Sequence, residues 1–346
     1  MIAAAEFPRP EGSKLLDRLA QLGVPLADLT ADSRAVKMGS IFVAYPGTAL
    51  DGRAFITEAL ARGAAAVLWE RTGFTWNEDW QVPNLGVENL RGRISEIAGH
   101  VYGNPSESLW MAGVTGTNGK TSVSQWIAAA SNALGRRSAV IGTLGNGLVG
   151  ERIEGRNTTP DPIVLQRLLA DYLRRGARSI AMEVSSHGLH QGRVTGIEYD
   201  CAVFTNLTRD HLDYHGTMEA YAEAKYSLFD APGLQHAVVN VDDPWGVRLA
   251  QRLEGGGLDV ITFGTGSAAR LRARDARLSE AGVRFTVEGD FGTGDVKARV
   301  LGAFNVSNLL AVLASRCTSF TPHSSSTFTM ACFRPRASKS ANLASA

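Results

Sequence analysis

The sequence predicts an α/β protein: a central, mostly parallel sheet with helices on both faces, preceded by a smaller α/β layer. Three observations predict it. A Gly-rich loop, Gly113 to Thr121, stands between an apolar run and a helical pattern. Short apolar runs alternate with amphipathic stretches from residue 109 to 263, as in parallel sheets with crossover helices. A shorter alternation of the same kind occupies residues 14–69.

Residues 1–12 read as a loose leader, and 14–22 suit a short helix. Residues 39–47 read as a strand that ends at the Pro46-Gly47 break. Residues 55–62 are helical and 64–69 form another apolar strand, with a linker at Gly103-Asn104-Pro105. Residues 109–112 read as a buried strand that leads into the Gly-rich loop. Beyond the loop, Val123, Trp126, Ile127, Ala130 and Leu134 recur at helical spacing. Strands are expected at 138–141, 178–184, 200–206, 236–241 and 258–263, and helices at 163–175, 218–229 and 244–253. Residues 271–300 read as short strands with Gly turns, an antiparallel appendage, and 304–314 as a closing helix. The expected domains are 1–108, 109–314 and an aberrant tail, 315–346. Of the 32 tail residues 12 are Ser or Thr and none is acidic, so the tail cannot bury much apolar surface and reads as disordered.

The bulk numbers suit a globular protein. The 346 residues are 44% apolar, enough for sizeable cores. Basic and acidic residues, 35 and 34, nearly cancel, which argues against a nucleic-acid binder. No run approaches the roughly 18 apolar residues of a membrane helix, and no signal peptide is apparent. Cys201, Cys317 and Cys332 form neither a disulfide framework nor a metal knuckle. A cytoplasmic, soluble protein is expected.

The chemistry centres on Gly116-Thr117-Asn118-Gly119-Lys120-Thr121. Strand, Gly-rich loop, Lys-Thr and helix form the layout of a phosphate-binding loop, although Val114 stands where the strict pattern has its first glycine. Backbone N–H groups would converge on phosphate oxygens, Lys120 would reach the terminal phosphates, and the Thr121 hydroxyl would ligate Mg²⁺. Four further clusters follow predicted strands, where this architecture places ligands. Asn157-Thr158-Thr159-Pro160 opens a helix, either holding an anion or simply capping. Glu183 ends an apolar strand before Ser185, Gln191 and Arg193; its carboxylate either ligates a metal or caps a loop. Asn206 to Gly216 contains His211, Asp213 and His215, too few placed ligands for zinc, and Asp213 and His215 read as loop. Lys225 lies on an amphipathic helix, where a lysine is ordinarily solvated.

Thr115 to Ser122, together with the Glu183 to Leu189 string, resembles the Mur ligase family, in its MurE branch. Asp32-Ser33-Arg34, Phe42-Val43-Ala44 and Asp51-Gly52-Arg53 resemble that branch's first domain, and Gly302 to Leu310 its central domain. The resemblance covers residues 13–314. It implies an ATP-dependent, cytoplasmic, monomeric ligase of peptidoglycan precursors. Such an enzyme joins diaminopimelate or lysine to UDP-N-acetylmuramoyl-L-alanyl-D-glutamate through an acyl phosphate. It implies that Asn206 and Asn305 lie by the nucleotide, and that Thr121, Glu183, His211 and a carbamylated Lys225 hold Mg²⁺. Lys120, Lys225 and His211 would be the catalytic set. Ser33, Thr158, Thr159, Ser185, Gln191 and Arg193 would bind the sugar-nucleotide dipeptide. The branch often has His-Gln-Ala where Thr48-Ala49-Leu50 stand here.

Mur ligases continue into a third, Rossmann-like domain that takes the amino acid. The tail from Ser315 does not resemble it; the junction reads as a frameshift or sequencing error, and this chain is expected not to ligate. Folylpolyglutamate synthetases share the chemistry but usually carry Gly where Thr121 stands. A nucleotide-binding chain without turnover is the other alternative.

Overall fold

The computed structural model describes residues 11–26, 28–47, 50–155 and 157–318. They form two compact units that meet in sequence at Ala237 and Val238.

The first unit begins with α1 (Glu11–Gln21), β1 (Leu29–Thr30), β2 (Ile41–Ala44), α2 (Ile56–Ala61), β3 (Ala66–Glu70), β4 (Asn84–Val87) and α3 (Leu90–Val101). The four strands form an all-parallel sheet in chain order. Every residue of β2 and β3 is buried, because helices cover both faces of a parallel sheet. Leu16 and Leu19 of α1 and Ile94 and Ile97 of α3 cover one face. Ile56 and Ala59 of α2 pack with Phe42, Val67 and Trp69 on the other. Glu70 closes β3 and accepts from Leu90 N at 2.8 Å, so one carboxylate ends a strand and starts α3. Neither β4 nor α3 is legible in the sequence. The first is a half-covered edge strand, and the second is interrupted by Gly92 and Gly99.

The unit continues with β5 (Trp110–Thr115), α4 (Lys120–Ala133), β6 (Ser138–Ile141), β7 (Gly147–Leu148), α5 (Pro162–Arg174) and β8 (Ser179–Glu183). It ends with α6 (Ser186–His190), β9 (Cys201–Phe204), α7 (Leu212–His215) and α8 (Met218–Tyr226). The order is β9-β5-β8-β6-β7, parallel except for β7. The carboxyl ends of β5, β6, β8 and β9 therefore gather along one edge, and the loops that leave them carry the candidate site. Two expectations change here. The helix expected to open at Thr158-Thr159-Pro160 is capped by Asp161, whose carboxylate accepts from Ile163 N and Val164 N at 3.1 Å each. Asp213 and His215, read as loop, lie in the short helix α7.

The second unit contains β10 (His236–Asn240), which starts at the boundary, then α9 (Pro244–Leu253), β11 (Asp259–Gly264), β12 (Leu271–Ser279), β13 (Gly282–Gly289), β14 (Gly292–Ala298) and α10 (Phe304–Cys317). β12, β13 and β14 form the expected antiparallel appendage, and β12 joins it to β11 in parallel. α10 runs past the expected end at residue 314, with Ser315 and Arg316 buried. The Ser315 hydroxyl donates to Val312 O at 2.8 Å, a bond within the helix that lets serine continue it. Residues 319–346, the rest of the expected tail, lie outside the described residues, as do 1–10, Thr48 and Ala49. Among the described residues no helix is long and apolar enough to cross a membrane.

Leu68 is fully buried at the centre of β3, so Leu68→Ala should destabilise the protein by about 2–5 kcal/mol through lost transfer energy and a cavity. Leu278→Ala, at a residue 53% exposed, should change stability by no more than about 0.5 kcal/mol. Urea denaturation followed by tryptophan fluorescence checks both.

Candidate functional site

The loop between β5 and α4 turns at Gly116 (φ 142°) and Gly119 (φ 86°), conformations that L side chains rarely adopt. A Cβ on Gly116 would also overlap Thr205 Oγ1 and press on the backbone of Asn206 at about 3.0 Å. The loop is fastened from the end of β9. Asn206 O accepts from Thr117 N at 2.8 Å. The Asn206 amide accepts from Asn118 N at 2.9 Å and donates to Asn118 O at 3.1 Å. Thr205 Oγ1 donates to Asn118 O at 2.6 Å.

Two lysines converge on this loop. Lys120 Nζ donates to Gly116 O and to Thr117 O, each at 2.8 Å. Lys225 Nζ, from α8, donates to the same Gly116 O at 2.8 Å. Lys225 is 1% exposed and its ammonium lies 4.5 Å from the centre of the Tyr221 ring. Burial, and then the neighbouring Lys120 charge, push its pKa down to about 6, against a smaller opposing pull from Asp210. Burial also lowers the pKa of Lys120, with Glu183 and Asp210 acting against it. A lysine that the sequence would leave solvated is thus an interior amine.

Glu183, at the end of β8, is fully buried. Its Oε2 accepts from Thr121 Oγ1 at 2.9 Å and Thr143 Oγ1 at 3.1 Å, and its Oε1 accepts from Thr143 N at 2.8 Å. Gly142 is required beside it, because a Cβ there would overlap Oε1. The sequence reading missed Thr143. Its place just past β6 was the available signal, because loops at the carboxyl ends of parallel strands carry ligands.

His211 immediately precedes α7. It is half-exposed at φ 51°, with Nε2 3.5 Å from Asp210, and its ring lies edge-on to His187 at 4.8 Å. Among the described residues no three His, Cys, Asp or Glu side chains gather to hold a metal. His215 Nε2 lies 3.0 Å from Ser186 Oγ and its ring faces Tyr221.

The polar residues expected to meet the acyl substrate form one hydrogen-bonded chain. Thr158 Oγ1 lies 2.9 Å from Thr143 Oγ1. Thr159 Oγ1 donates to Glu183 O at 3.0 Å, accepts from Ser185 N at 3.0 Å and lies 3.1 Å from Ser185 Oγ. Ser185 Oγ also caps α6 through Gly188 N. Arg193 donates to Thr159 O at 2.9 Å and twice to Gln191 Oε1, at 3.0 and 2.6 Å, and Gln191 in turn donates to Tyr214. Two further expected residues are Ser33 and Asn305. Ser33 is buried and donates to Glu58 Oε2 at 2.9 Å. A cavity of about 620 Å³ is lined by its neighbours Ala31 and Asp32 together with Asn157, Asp161 and Arg167. Asn305, in the second unit, is buried at the start of α10 and donates to Leu301 O at 2.8 Å.

Residues 114–316 match the family described as Mur ligase middle domain, and residues 26–102 match the Mur ligase family, catalytic domain. The chain is 51% identical over 300 residues to a UDP-N-acetylmuramoyl-L-alanyl-D-glutamate–2,6-diaminopimelate ligase of Chromobacterium violaceum, covering 86% of this chain and 61% of that protein. A solved structure of a ligase of the same name is 37% identical, with a TM-score of 0.73 over 85% of this chain and 60% of the other. A Mycobacterium tuberculosis folylpolyglutamate synthase complexed with ADP and AMPPCP is 19% identical, with a TM-score of 0.56 over 66% of this chain and 59% of the other, a likeness of fold alone. The chain spans about 61% of the length of the first curated relatives it matches. The match over residues 114–316, more than half of the chain, makes it a member of the Mur ligase family.

Proposed function

We propose that the chain serves ATP-dependent amide-bond formation in peptidoglycan precursor synthesis, as a monomer in the cytoplasm. It would join a diamino acid, diaminopimelate or lysine, to UDP-N-acetylmuramoyl-L-alanyl-D-glutamate. The observation that carries this reading is the convergence of Lys120 and Lys225 on one carbonyl at a glycine-cornered loop, with the Thr121–Glu183 pair beside it. In the proposed division, residues 1–108 hold the sugar-nucleotide end and 109–314 bind ATP. The relatives' names support the substrate; the folate alternative has only the shared fold behind it.

The residues fit a polyphosphate and a hard cation. The loop turns tightly at Gly116, where a Cβ would strike Thr205 and Asn206, and the amino groups of Lys120 and Lys225 share one neutral acceptor that leaves Lys120 available to an anion. Lys120 would leave its loop carbonyls for the terminal phosphates of ATP. Gly116 to Thr121 would present N–H groups, and Asn206 would border the nucleotide. Thr121, Glu183, His211 and a carbamylated Lys225 would supply oxygen and nitrogen donors to Mg²⁺, which, when bound, neutralises charge on the transferring phosphoryl group.

Lys225 reacts with CO₂ as the free amine. Its nitrogen attacks the carbon, an N–C bond forms, and the displaced proton passes to water, leaving an anionic carbamate. Thr158, Thr159, Ser185, Gln191 and Arg193 orient the D-glutamyl side chain, whose carboxylate oxygen attacks the γ-phosphorus of ATP, forming the acyl phosphate as the bond to the β-phosphate oxygen breaks and ADP leaves. The diamino acid's amine then displaces phosphate from the acyl phosphate, forming the amide and losing a proton. Burial around Glu183 and Lys225 keeps water from that reactive acyl group.

Lys120→Ala should weaken binding of a non-hydrolysable ATP analogue by about ten-fold or more, the worth of a charge-assisted contact. Titration calorimetry measures this, and unchanged affinity would remove Lys120 from the site. For Lys225 the pH sign is set by its lowered pKa of about 6: the amine is free above that value and protonated below it. With ¹³C-bicarbonate and Mg²⁺, a carbamate resonance should appear at pH 8, fade below pH 6, and be absent in Lys225→Ala. Absence of the resonance from the unmodified chain at pH 8 would count against the modification.

A further inference from the structure

A cavity of about 420 Å³ opens between the start of α3 and the end of α6, lined in part by Arg91, His190, Gln191, Thr195 and Tyr214. Arg91 stands in the first turn of α3, where the helix dipole disfavours a cation, and no acidic residue accompanies it there. Among the described residues Arg91 makes no ion pair or hydrogen bond. A residue that breaks a local rule without a structural partner is a candidate for function.

Arg193 carries a second guanidinium without a carboxylate; its bonds go to the neutral oxygens of Gln191 and Thr159. Both arginines act on one hydroxyl. Burial raises the pKa of Tyr45 and Asp161 adds to the rise, while Arg91 and Arg193 pull it down. The Asp161 carboxylate nearby is engaged with Ile163 N and Val164 N. The wall of the cavity is held by Tyr214, whose hydroxyl accepts from Gln191 at 3.2 Å and lies 3.0 Å from His190 Nδ1. The Arg91 guanidinium, a tyrosine hydroxyl and a histidine line a cavity that suits an oxyanion, with Arg193 bonded to its Gln191 wall, and the planar guanidinium fork suits phosphate and carboxylate alike.

We propose that Arg91 is a further substrate-binding residue, which pairs with an oxyanion of the sugar-nucleotide dipeptide, either on its diphosphate or on its peptide carboxylate. This rests on the substrate assignment under Proposed function. Gln191 and Arg193 join the new contact to the Thr159–Ser185 chain, so one substrate could span both.

The test is titration calorimetry of the chain with two probes, UDP-N-acetylglucosamine and UDP-N-acetylmuramoyl-L-alanyl-D-glutamate. Arg91→Ala should weaken the dipeptide probe about ten-fold and flatten its salt dependence, and Arg91→Lys should recover only part of the loss. Loss on both probes assigns the diphosphate; loss on the second alone assigns the peptide carboxylate. Unchanged affinity of an ATP analogue and an unchanged thermal melt separate such a loss from unfolding. If the alanine variant melts early, Arg91→Gln, which removes the charge and keeps much of the stem, takes its place. An unmodified chain that binds the dipeptide probe while Arg91→Ala binds it equally well overturns the role of Arg91 alone. An unmodified chain that binds neither probe overturns the substrate assignment, and this inference with it.

Discussion

Gly116 O accepts from two lysines at once, and much of the first unit is arranged to make that possible. Burial lowers the pKa of both lysines, and the Lys120 charge adds to the fall at Lys225. The arrangement requires the loop to turn tightly at Gly116 and Gly119, and it requires Thr205 and Asn206 to fasten the loop from the next strand. It also requires α8 to deliver Lys225 from about a hundred residues further on. The parallel pairing of β5 with β9 brings these parts together, because it places the loop and its anchor at the same edge.

The same logic governs the other side of β5. β8 ends in Glu183, and the loop past β6 supplies Thr143 as a donor through both its backbone and its hydroxyl. A buried carboxylate with three donors is well solvated by protein, and each charge-assisted bond contributes roughly 1.5–3 kcal/mol. Thr143 also touches Thr158, and Thr159 bonds the backbone of Glu183. The phosphate loop, the buried carboxylate and the polar chain through Arg193 are therefore mechanically continuous. Movement in one will be felt by the others.

The N-terminal layer is tied to this frame by polar contacts. Arg167 of α5 donates to Leu29 O at 2.8 Å and to the Tyr102 hydroxyl at 3.2 Å. Ile163 of α5 enters the core beneath α1 and α3. These ties set the walls of the clefts on which the substrate assignment depends.

Much of this was legible in the residues themselves. The strand at Ser138–Ile141 and the helix at Pro244–Leu253 have the bounds read from the sequence, the first because every residue is buried in a short run and the second because its apolar residues recur along one buried face. β4 and α3 were not legible, since an edge strand and a glycine-broken helix carry little periodic signal. The loop motif and the Glu183 string were local in sequence, so they could be recognised. Thr143 was not recognised, because a threonine after a strand resembles many others until its partner 40 residues away is known. The sequence alone determined the alternation of strands and helices, the glycines of the loop and the identity of the polar residues near it. Only the tertiary structure decided that Lys225 is buried rather than solvated, that Ser33 turns to Glu58, and that Arg91 lines a cavity with Gln191 and Tyr214. Burial and charge proximity are relations between distant segments, and only the strand order brings those segments within reach.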